Sequence, residues 1–381
     1  IEIWTWNSEN PAERGERTHI LQGHTLKVDE KVVDEVAWNP NRSRLASAGW
    51  DGNVIIWNAT QGGDPLHILE HRDEDGESTI VRAVAWNDDS TRLASGSEDC
   101  HVRIWDTETG ILLHTLNGHT GRVTTVAWES GSDRLASTAY DGTIRVWNAR
   151  EGGESLSVLN PGNLPVNSVA WLGVRNQLAS ACDDGKVSVW DISANTEQPV
   201  KVLDGHLDEV WSLSWSESVE RLASADKSGE LRIWNCDADP GEELERVLVG
   251  HEGEINKIKW DPTLTRLASV SNDRTLRIWD LNHRGEPVDI ILNDQLDKLD
   301  WPVQSLSLTD EKIRFTSAEI GGKIRIWDTE NGNTNSRLTL EGHSDDVGII
   351  VANKQWSYLA STSAGPDEHG IHIWNALSSQ H

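Results

Sequence analysis

Four sets of side chains in this sequence contain a nucleophile, a base and an acid: His24, Ser47, Asp51 and Trp57; His71, Ser95, Asp99 and Trp105; His119, Ser137, Asp141 and Trp147; His251, Ser269, Asp273 and Trp279. A serine hydroxyl within reach of a histidine that an aspartate orients is the constellation of a serine hydrolase, in which the imidazole takes the hydroxyl proton during attack on a carbonyl. An enzyme needs one such set. Four in the same order and at nearly the same spacing argue against catalysis, and no catalytic residue is assigned.

Other chemistries find less support. Glycosidase chemistry requires two carboxylates facing each other across a cleft, and acids are too numerous here to single out a pair. No glycine-rich phosphate loop follows a strand and opens a helix. Cys100, Cys182 and Cys236 occupy different places in their surroundings and form no CxxC pair, so neither a zinc site nor a disulfide framework is expected. Neither a metal nor a cofactor is expected.

The elements that carry these sets repeat. An apolar-Trp ending preceded by a Leu-Ala-Ser triplet occurs, with edits, eight times, closing at Trp57, Trp105, Trp147, Trp190, Trp234, Trp279, Trp327 and Trp374, 42 to 48 residues apart. A repeat of this period marks an array architecture. In the copy from His119 to Asn148, four segments alternate or are β-branched: residues 112–116, 122–128, 134–138 and 143–147, with Asp141-Gly142 at the last tight turn. A four-stranded antiparallel unit of this size cannot bury both faces alone. Eight of them arranged radially close into a propeller.

Gly118-His119, the Leu-Ala-Ser triplet, Asp141-Gly142 and the Trp-Asn or Trp-Asp ending resemble a WD40 repeat, over roughly residues 18–375. The dipeptide itself stands at Trp105-Asp106, Trp190-Asp191, Trp279-Asp280 and Trp327-Asp328. The resemblance implies an all-β, eight-bladed WD40 β-propeller of four-stranded antiparallel blades, whose ring is closed by an N-terminal outer strand joining the last blade. Thr18 to Gln22 would be that strand, pairing near Ile371 to Trp374. Residues 1–17 would form an extra strand (Ile1 to Trp4) and a polar linker, residues 18–375 a single propeller, and residues 376–381 a tail. The likeness of the repeats to one another resembles arrays attached to prokaryotic signalling or NTPase proteins, which implies an upstream domain of that kind.

In the family, each His, Ser, Asp and Trp set is a hydrogen-bonded tetrad that ties loop to turn, because a buried indole N–H needs an acceptor and a buried carboxylate needs donors. Some copies depart from it. Gly162 replaces the histidine in the fourth, Ser228 the aspartate in the fifth, and Gln295 and Gly321 two members in the seventh; the eighth keeps His343, Ser361 and Trp374, with Asp367 or Glu368 as its candidate acid. Trp38, Trp86, Trp128, Trp171, Trp215 and Trp260 end the first strand of their repeats and are expected in the core between blades. Abundant Trp in eight blades also suggests quinone-dependent dehydrogenases, but the stretch from Ala225-Asp226 to Trp234 lacks their spacing and adjacent cysteines are missing.

The family presents to partners the residue before the turn aspartate and the residue that opens the first strand. The first series reads Trp50, Glu98, Tyr140, Asp183, Lys227, Asn272, Ile320 and Asp367, the second Val32, Ile80, Arg122, Pro165, Glu209, Glu254, Pro302 and Asp346. The loop leading into the first strand is long in two copies: fourteen residues separate His24 from Trp38 and fifteen His71 from Trp86, against nine from His119 to Trp128. The seventh copy has a long version too, and the eighth an enlarged turn, so the insertions gather in one arc of one face. Loops on a rigid scaffold carry binding residues disproportionately. The expected partner site on this top face comprises Trp50, Tyr140, Trp301, Val32, Ile80, Glu98, Asp183, Glu209, Glu254 and Asp346. A central channel binding a small ligand or cation is the competing expectation.

Charge narrows the partner. Lys and Arg number 34 against 62 Asp and Glu, a formal charge of -28, which repels nucleic-acid phosphate and anionic lipid and favours a basic protein or peptide. No apolar run reaches the ~18 to 20 residues that span a bilayer. The cysteine usage fits a reducing, cytoplasmic setting. The sequence begins at Ile1 and contains no methionine, as expected of a piece processed or excised from a longer protein.

Overall fold

Each Asp-Gly pair turns the chain tightly enough for the strand before it to meet the strand after it. Gly142 sits at φ 79°, a left-handed conformation that a side chain disfavours, and Asp141 Oδ1 accepts the N–H of Thr143 across the turn at 2.9 Å. Around this hairpin the reference repeat forms strands Val123–Trp128, Arg134–Ala139, Ile144–Asn148 and Ser157–Leu159, hydrogen-bonded in that order. The preceding repeat ends on the outer strand Leu112–Leu116. These bounds lie within a residue or so of those the sequence suggests.

The computed structural model describes residues 17–24, 33–41, 43–73, 75–162, 164–173, 176–193, 198–260, 266–273, 275–281, 288–292, 314–318, 323–328, 336–344, 347–352, 358–363 and 370–375. Six consecutive four-stranded antiparallel sheets run from Val33 to Leu292, here blades 1 to 6. A seventh, the terminal blade, joins Val347–Ala352, Tyr358–Ser363 and Gly370–Asn375 to the first strand of the chain, Arg17–Gln22. Where eight complete blades were expected, seven are four-stranded; between blade 6 and the terminal blade a further sheet has three described strands, Arg314–Ala318, Lys323–Asp328 and Ser336–Glu341. Its expected inner strand lies outside the described residues, as do the strand expected at Ile1 to Trp4 and the tail at 376–381.

The first strand pairs antiparallel with the last, in the expected place: His19 lies opposite Ile373, Ile20 opposite His372 and Leu21 opposite Ile371. Inner strands of successive blades pack side by side from blade 1 to blade 6, and the inner strand of the terminal blade packs against that of blade 1.

The core sits at the joints rather than within any one sheet. Each of the seven described joints holds its own cluster; that between blades 2 and 3 gathers Ala94, Ile104, Leu116, Val123, Val126, Leu135 and Trp147. Burying one Val, Leu or Ile side chain contributes about 1.5 to 3 kcal/mol, so a blade separated from its neighbours would lose most of its support. The second strands of these blades are buried along nearly their whole length, which explains the small Ala-Ser residues of the repeat. At Gly96 even a methyl group would be too large, since a Cβ there would lie 2.5 Å from Val123 of the next blade.

The inner strands leave an unpaired edge, and each blade covers part of the edge of its neighbour. The indole N–H of Trp86 donates to the carbonyl of Ala37 at 2.9 Å, that of Trp128 to Ala85 at 3.0 Å, Trp171 to Ala127 at 3.0 Å, Trp260 to Ser214 at 3.0 Å and Trp38 to Val351 at 3.2 Å. In the other direction Glu35 accepts the N–H of Val84 at 2.7 Å and Ser212 that of Ile258 at 3.2 Å. The tryptophans expected in the core are thus also ties between blades. Among the described residues no helix is long and apolar enough to cross a membrane.

Candidate functional site

In blade 3 the set that resembles a hydrolase triad closes on itself. His119 Nε2 lies 2.8 Å from Ser137 Oγ and Nδ1 3.0 Å from Asp141, while Trp147 donates its indole N–H to the same Ser137 Oγ at 2.8 Å. Ser137 and Trp147 are fully buried. A hydroxyl fixed between an indole and an imidazole beneath a closed loop has no path to a substrate. Burial opposes the charge of Asp141, but hydrogen bonds from His119, Thr143 and the backbone N–H of Thr120 outweigh it and hold the carboxyl below the usual carboxylate range. Asp273 in blade 6 is held low in the same way, by His251 and Thr275.

Blades 1 and 6 repeat the arrangement. His24 bridges Ser47 at 2.7 Å and Asp51 at 2.9 Å, with Trp57 on Ser47 at 2.8 Å; His251 bridges Ser269 and Asp273, both at 2.7 Å, with Trp279 on Ser269 at 2.8 Å. Blade 2 keeps His71 against Ser95 at 2.7 Å and Trp105 on Ser95 at 2.8 Å. There Arg103 stands between the histidine and the acid: its Nη1 donates to His71 Nδ1 at 2.7 Å and pairs with Asp99 at 2.6 Å. The expected contact of Asp99 with His71 is replaced by this relay.

Blade 5 corrects the sequence reading in a different way. Ser228 does not take the place of the acid; Asp226, two residues earlier at the end of its strand, lies 2.9 Å from His206 Nδ1, and Ser228 Oγ donates to it at 2.7 Å. Ser224 and Trp234 complete the tetrad. With Glu230, His206 and Asp226 are the one trio of potential metal ligands among the described residues, their ligand atoms within 4.8 Å of one another. All three are engaged, Glu230 by Arg232 Nε at 2.6 Å. In the terminal blade His343 meets Ser361 at 2.7 Å, Trp374 donates to Ser361 at 2.7 Å, and the ring of His343 stacks on that of buried His372 at 3.7 Å. Gln295, Gly321, Asp367 and Glu368 lie outside the described residues.

The glycine of the Gly-His pair has a steric reason. Gly118 and Gly205 have φ of 154° and 144°, and a Cβ on either would strike the guanidinium of Arg145 or Arg232, which lies over the tetrad tryptophan.

On the top face the two sequence series meet pairwise. The backbone N–H of Glu98 donates to the carbonyl of Ile80 at 2.9 Å, Tyr140 to Arg122 at 3.0 Å, Asp183 to Pro165 at 3.3 Å, Lys227 to Glu209 at 3.0 Å and Asn272 to Glu254 at 2.8 Å. Side chains continue these pairs. Arg122 lies over the ring of Tyr140 at 3.7 Å, and Lys227 over Trp211 at 5.5 Å, whose indole donates to Glu209. Tyr140 is 46% exposed and Trp211 37%. Trp50 is half-buried beneath Arg82, which itself pairs with Asp34 at 3.1 Å and Glu98 at 2.6 Å. Val32, Trp301 and Asp346 lie outside the described residues.

One cavity of about 620 Å³ opens on this face, lined by Asp73, Asp75, Ser78, Thr79, Ile80, Glu98, Asp99 and His101. Its wall is the long loop that leads into the inner strand of blade 2, in the arc where the sequence gathers its insertions. Of the residues expected at the partner site, Ile80 and Glu98 both line this cavity. Asp73, Asp75 and His101 are not among the expected site residues, although the length of the loop is the signal that points to them. The three cysteines are free, and burial, with Asp184 and Asp183 nearby, pushes the Cys182 thiol up to about 12.

Among solved structures the chain is similar to the computationally designed Ika8 protein, with 23% identity and a TM-score of 0.74 over 95% of this chain and all of that one. It is also similar to a chain of the mitotic checkpoint complex, with 19% identity and a TM-score of 0.64 over 99% of this chain and 98% of that one. At these identities the likeness concerns the fold. No curated protein matches the chain. Residues 15–58, 63–106, 110–148, 153–191, 197–235 and 242–280, more than half of the sequence, each match the WD domain, G-beta repeat, and the chain belongs to the WD40 family.

Proposed function

We propose that this propeller is a non-catalytic scaffold or sensor that receives a basic or amphipathic segment of a protein on its top face, in the arc of blades 1 to 3. WD40 propellers are typically protein-interaction scaffolds, and the Ser-His-Asp sets here are engaged in holding loops. The observation that carries the reading is the acidic cavity, whose Glu98 is linked through Arg122 to the exposed ring of Tyr140. Four carboxylates, on Asp73, Asp75, Glu98 and Asp99, face a space large enough for one or two side chains. An exposed aromatic next to charge is a usual anchor of an interface. Glu98 is shared with Arg82 and Arg122, and Asp99 is paired with Arg103, so Asp73 and Asp75 are the lining acids without a basic partner among the described residues. The scaffold we propose is an eight-bladed closed ring, supported by the three-stranded sheet beside the terminal blade and by the pairing of the first strand with the last.

A fluorescent peptide rich in lysine, arginine and apolar residues provides the test. It should bind the protein with an affinity that falls as salt rises, and Tyr140→Ala or the pair Asp73→Asn, Asp75→Asn should weaken it by roughly tenfold, equivalent to ~1.4 kcal/mol. Unchanged affinity in both variants would remove the top-face arc from consideration.

A further inference from the structure

Aromatic side chains on the top face each lie under a cation of the same chain: Trp50 under Arg82 at 5.6 Å, Tyr140 under Arg122 at 3.7 Å and Trp211 under Lys227 at 5.5 Å. The electron-rich face of a ring attracts such a charge. The caps are not held alike. Arg82 donates to Glu98 Oε1 from Nε at 2.9 Å and from Nη2 at 2.6 Å, and pairs with Asp34 at 3.1 Å. Lys227 is paired with Glu209 at 3.5 Å. Arg122 has less: its Nη1 lies 3.7 Å from Glu98 Oε1, beyond hydrogen-bond distance, and its Nε is buried without a partner. Stacking on Tyr140 is its principal contact. The side chains of Arg122 and Glu98 are 38% and 30% exposed, so solvent reaches both as well as the ring. Glu98 Oε2 accepts no hydrogen bond among the described residues, since Arg82 directs both of its bonds to Oε1.

We propose that Arg122 is an internal stand-in for the partner: an arginine of the bound peptide takes its place on Tyr140 beside Glu98, and Arg122 swings out into solvent. This rests on the top-face reading and adds which side chain enters and what it displaces. The entering group is a guanidinium because its plane can lie flat on the phenol ring while its edge N–H groups reach a carboxylate; an ammonium is a compact, more strongly hydrated point charge. Glu98 Oε2 is the acceptor it finds, and Asp73 and Asp75 in the adjoining cavity can take a second cation of the same peptide. A tethered side chain competes at a high effective concentration. Arg122 therefore weakens the binding of the partner it resembles, whereas Arg82, fixed by two acids, stays in place.

Two fluorescent peptides, identical except that one carries arginine and the other lysine at every basic position, are titrated onto the full chain. Arg122→Gln should tighten the arginine peptide about fivefold and the lysine peptide much less. In a Tyr140→Ala background the same change should bring no gain. Arg150→Gln removes an equal charge beyond the far end of the strand Ile144–Asn148 from the Asp141-Gly142 turn, at a side chain 70% exposed. Screening by salt should leave both affinities unchanged in that variant. An arginine peptide that binds Arg122→Gln no better than the wild type, an equal gain for the lysine peptide, a gain that survives Tyr140→Ala, or the same gain in Arg150→Gln would overturn the proposal and leave the top-face reading standing. If neither peptide binds the wild type or Arg122→Gln, the top-face reading falls and the proposal with it.

Discussion

Arg103 donates to His71 Nδ1 at 2.7 Å and thereby fixes the imidazole in a different tautomer from its counterparts. Where an aspartate faces Nδ1, as in blades 1, 3, 5 and 6, the proton sits on Nδ1 and Nε2 accepts from serine. With a guanidinium in that place Nδ1 must be bare, so Nε2 carries the proton toward Ser95. Burial, the Arg103 charge and His101 all oppose protonation, and hold His71 well below the ordinary histidine value of 6.5. The folded state therefore takes up this proton later than the unfolded state as pH falls. Its stability is complete above about 6.5 and declines as pH drops below that value. Thermal midpoints measured from pH 7.5 to 5 should fall, and Arg103→Ile, the residue that blade 1 carries as Ile55, should flatten the fall. An unaltered slope would show that Arg103 does not keep His71 neutral.

Asp226 is the acid of blade 5, and Ser228 supports it from the side. Asp226→Ala removes a buried acceptor from His206, Ser228 and the backbone N–H of Glu230, and should cost about 3 kcal/mol. Ser228→Ala removes one donor at an exposed position and should cost about 1 kcal/mol. Denaturant unfolding distinguishes them; equal losses would return the role to Ser228. The low Asp226 carboxyl, held by His206 and Ser228 against its burial, adds stability that is complete above the ordinary value of 3.8 and is lost as pH falls below it.

The repeats and their strands are legible because three local signals coincide: a period of two, Asp-Gly turns and a tryptophan at a constant place. Side-chain roles are less legible. Arg103 and Arg145 stand at the same register position, opposite Ser95 and Ser137, yet Arg103 enters the tetrad while Arg145 lies over Trp147 and donates to Ser155 at 3.1 Å. Nothing in either residue type decides between these; the path of the neighbouring loop does. Asp226 is hidden because a repeat compares positions and not reach, and an acid two residues earlier arrives at the same imidazole. Tyr140 and the long loop at 73–78 are legible, whereas the cover that Arg82 provides to Trp50 depends on a cross-blade contact.

Outer strands lock onto the next blade through a histidine seated on a glycine. His114 Nε2 donates to the carbonyl of Arg150 at 3.0 Å, and a Cβ on Gly152 would lie 2.5 Å from His114 Nδ1. Gly131 has the same φ of 70° and nothing near it. Alanine at Gly131 thus measures the backbone cost of the left-handed conformation, ~1 kcal/mol, and alanine at Gly152 adds the displaced histidine, for a total of about 2 to 3 kcal/mol. The excess should vanish in a His114→Ala background when both are measured by chemical unfolding. If it persists, the histidine is not what the glycine accommodates.

Cys100 occupies the tight-turn position that Gly52, Gly142, Gly185 and Gly229 hold in blades 1, 3, 4 and 5, and it does so at φ 68°. A residue with a Cβ is strained there by about 1 to 2 kcal/mol, while glycine would add about 0.4 to 1 kcal/mol of unfolded-chain entropy. Glycine would also remove the weak hydrogen bond that the thiol donates to the carbonyl of Glu98 at 3.7 Å. Relief of strain exceeds the entropy term, so Cys100→Gly should stabilise the protein by roughly 0.5 kcal/mol. Cys100→Ser keeps the Cβ and the strain, and should give no gain. Equilibrium denaturation of the three proteins separates the two effects: a gain shared by serine would point to the thiol, and a loss with glycine would mean that the side chain at this edge of the acidic cavity contributes more than its backbone costs.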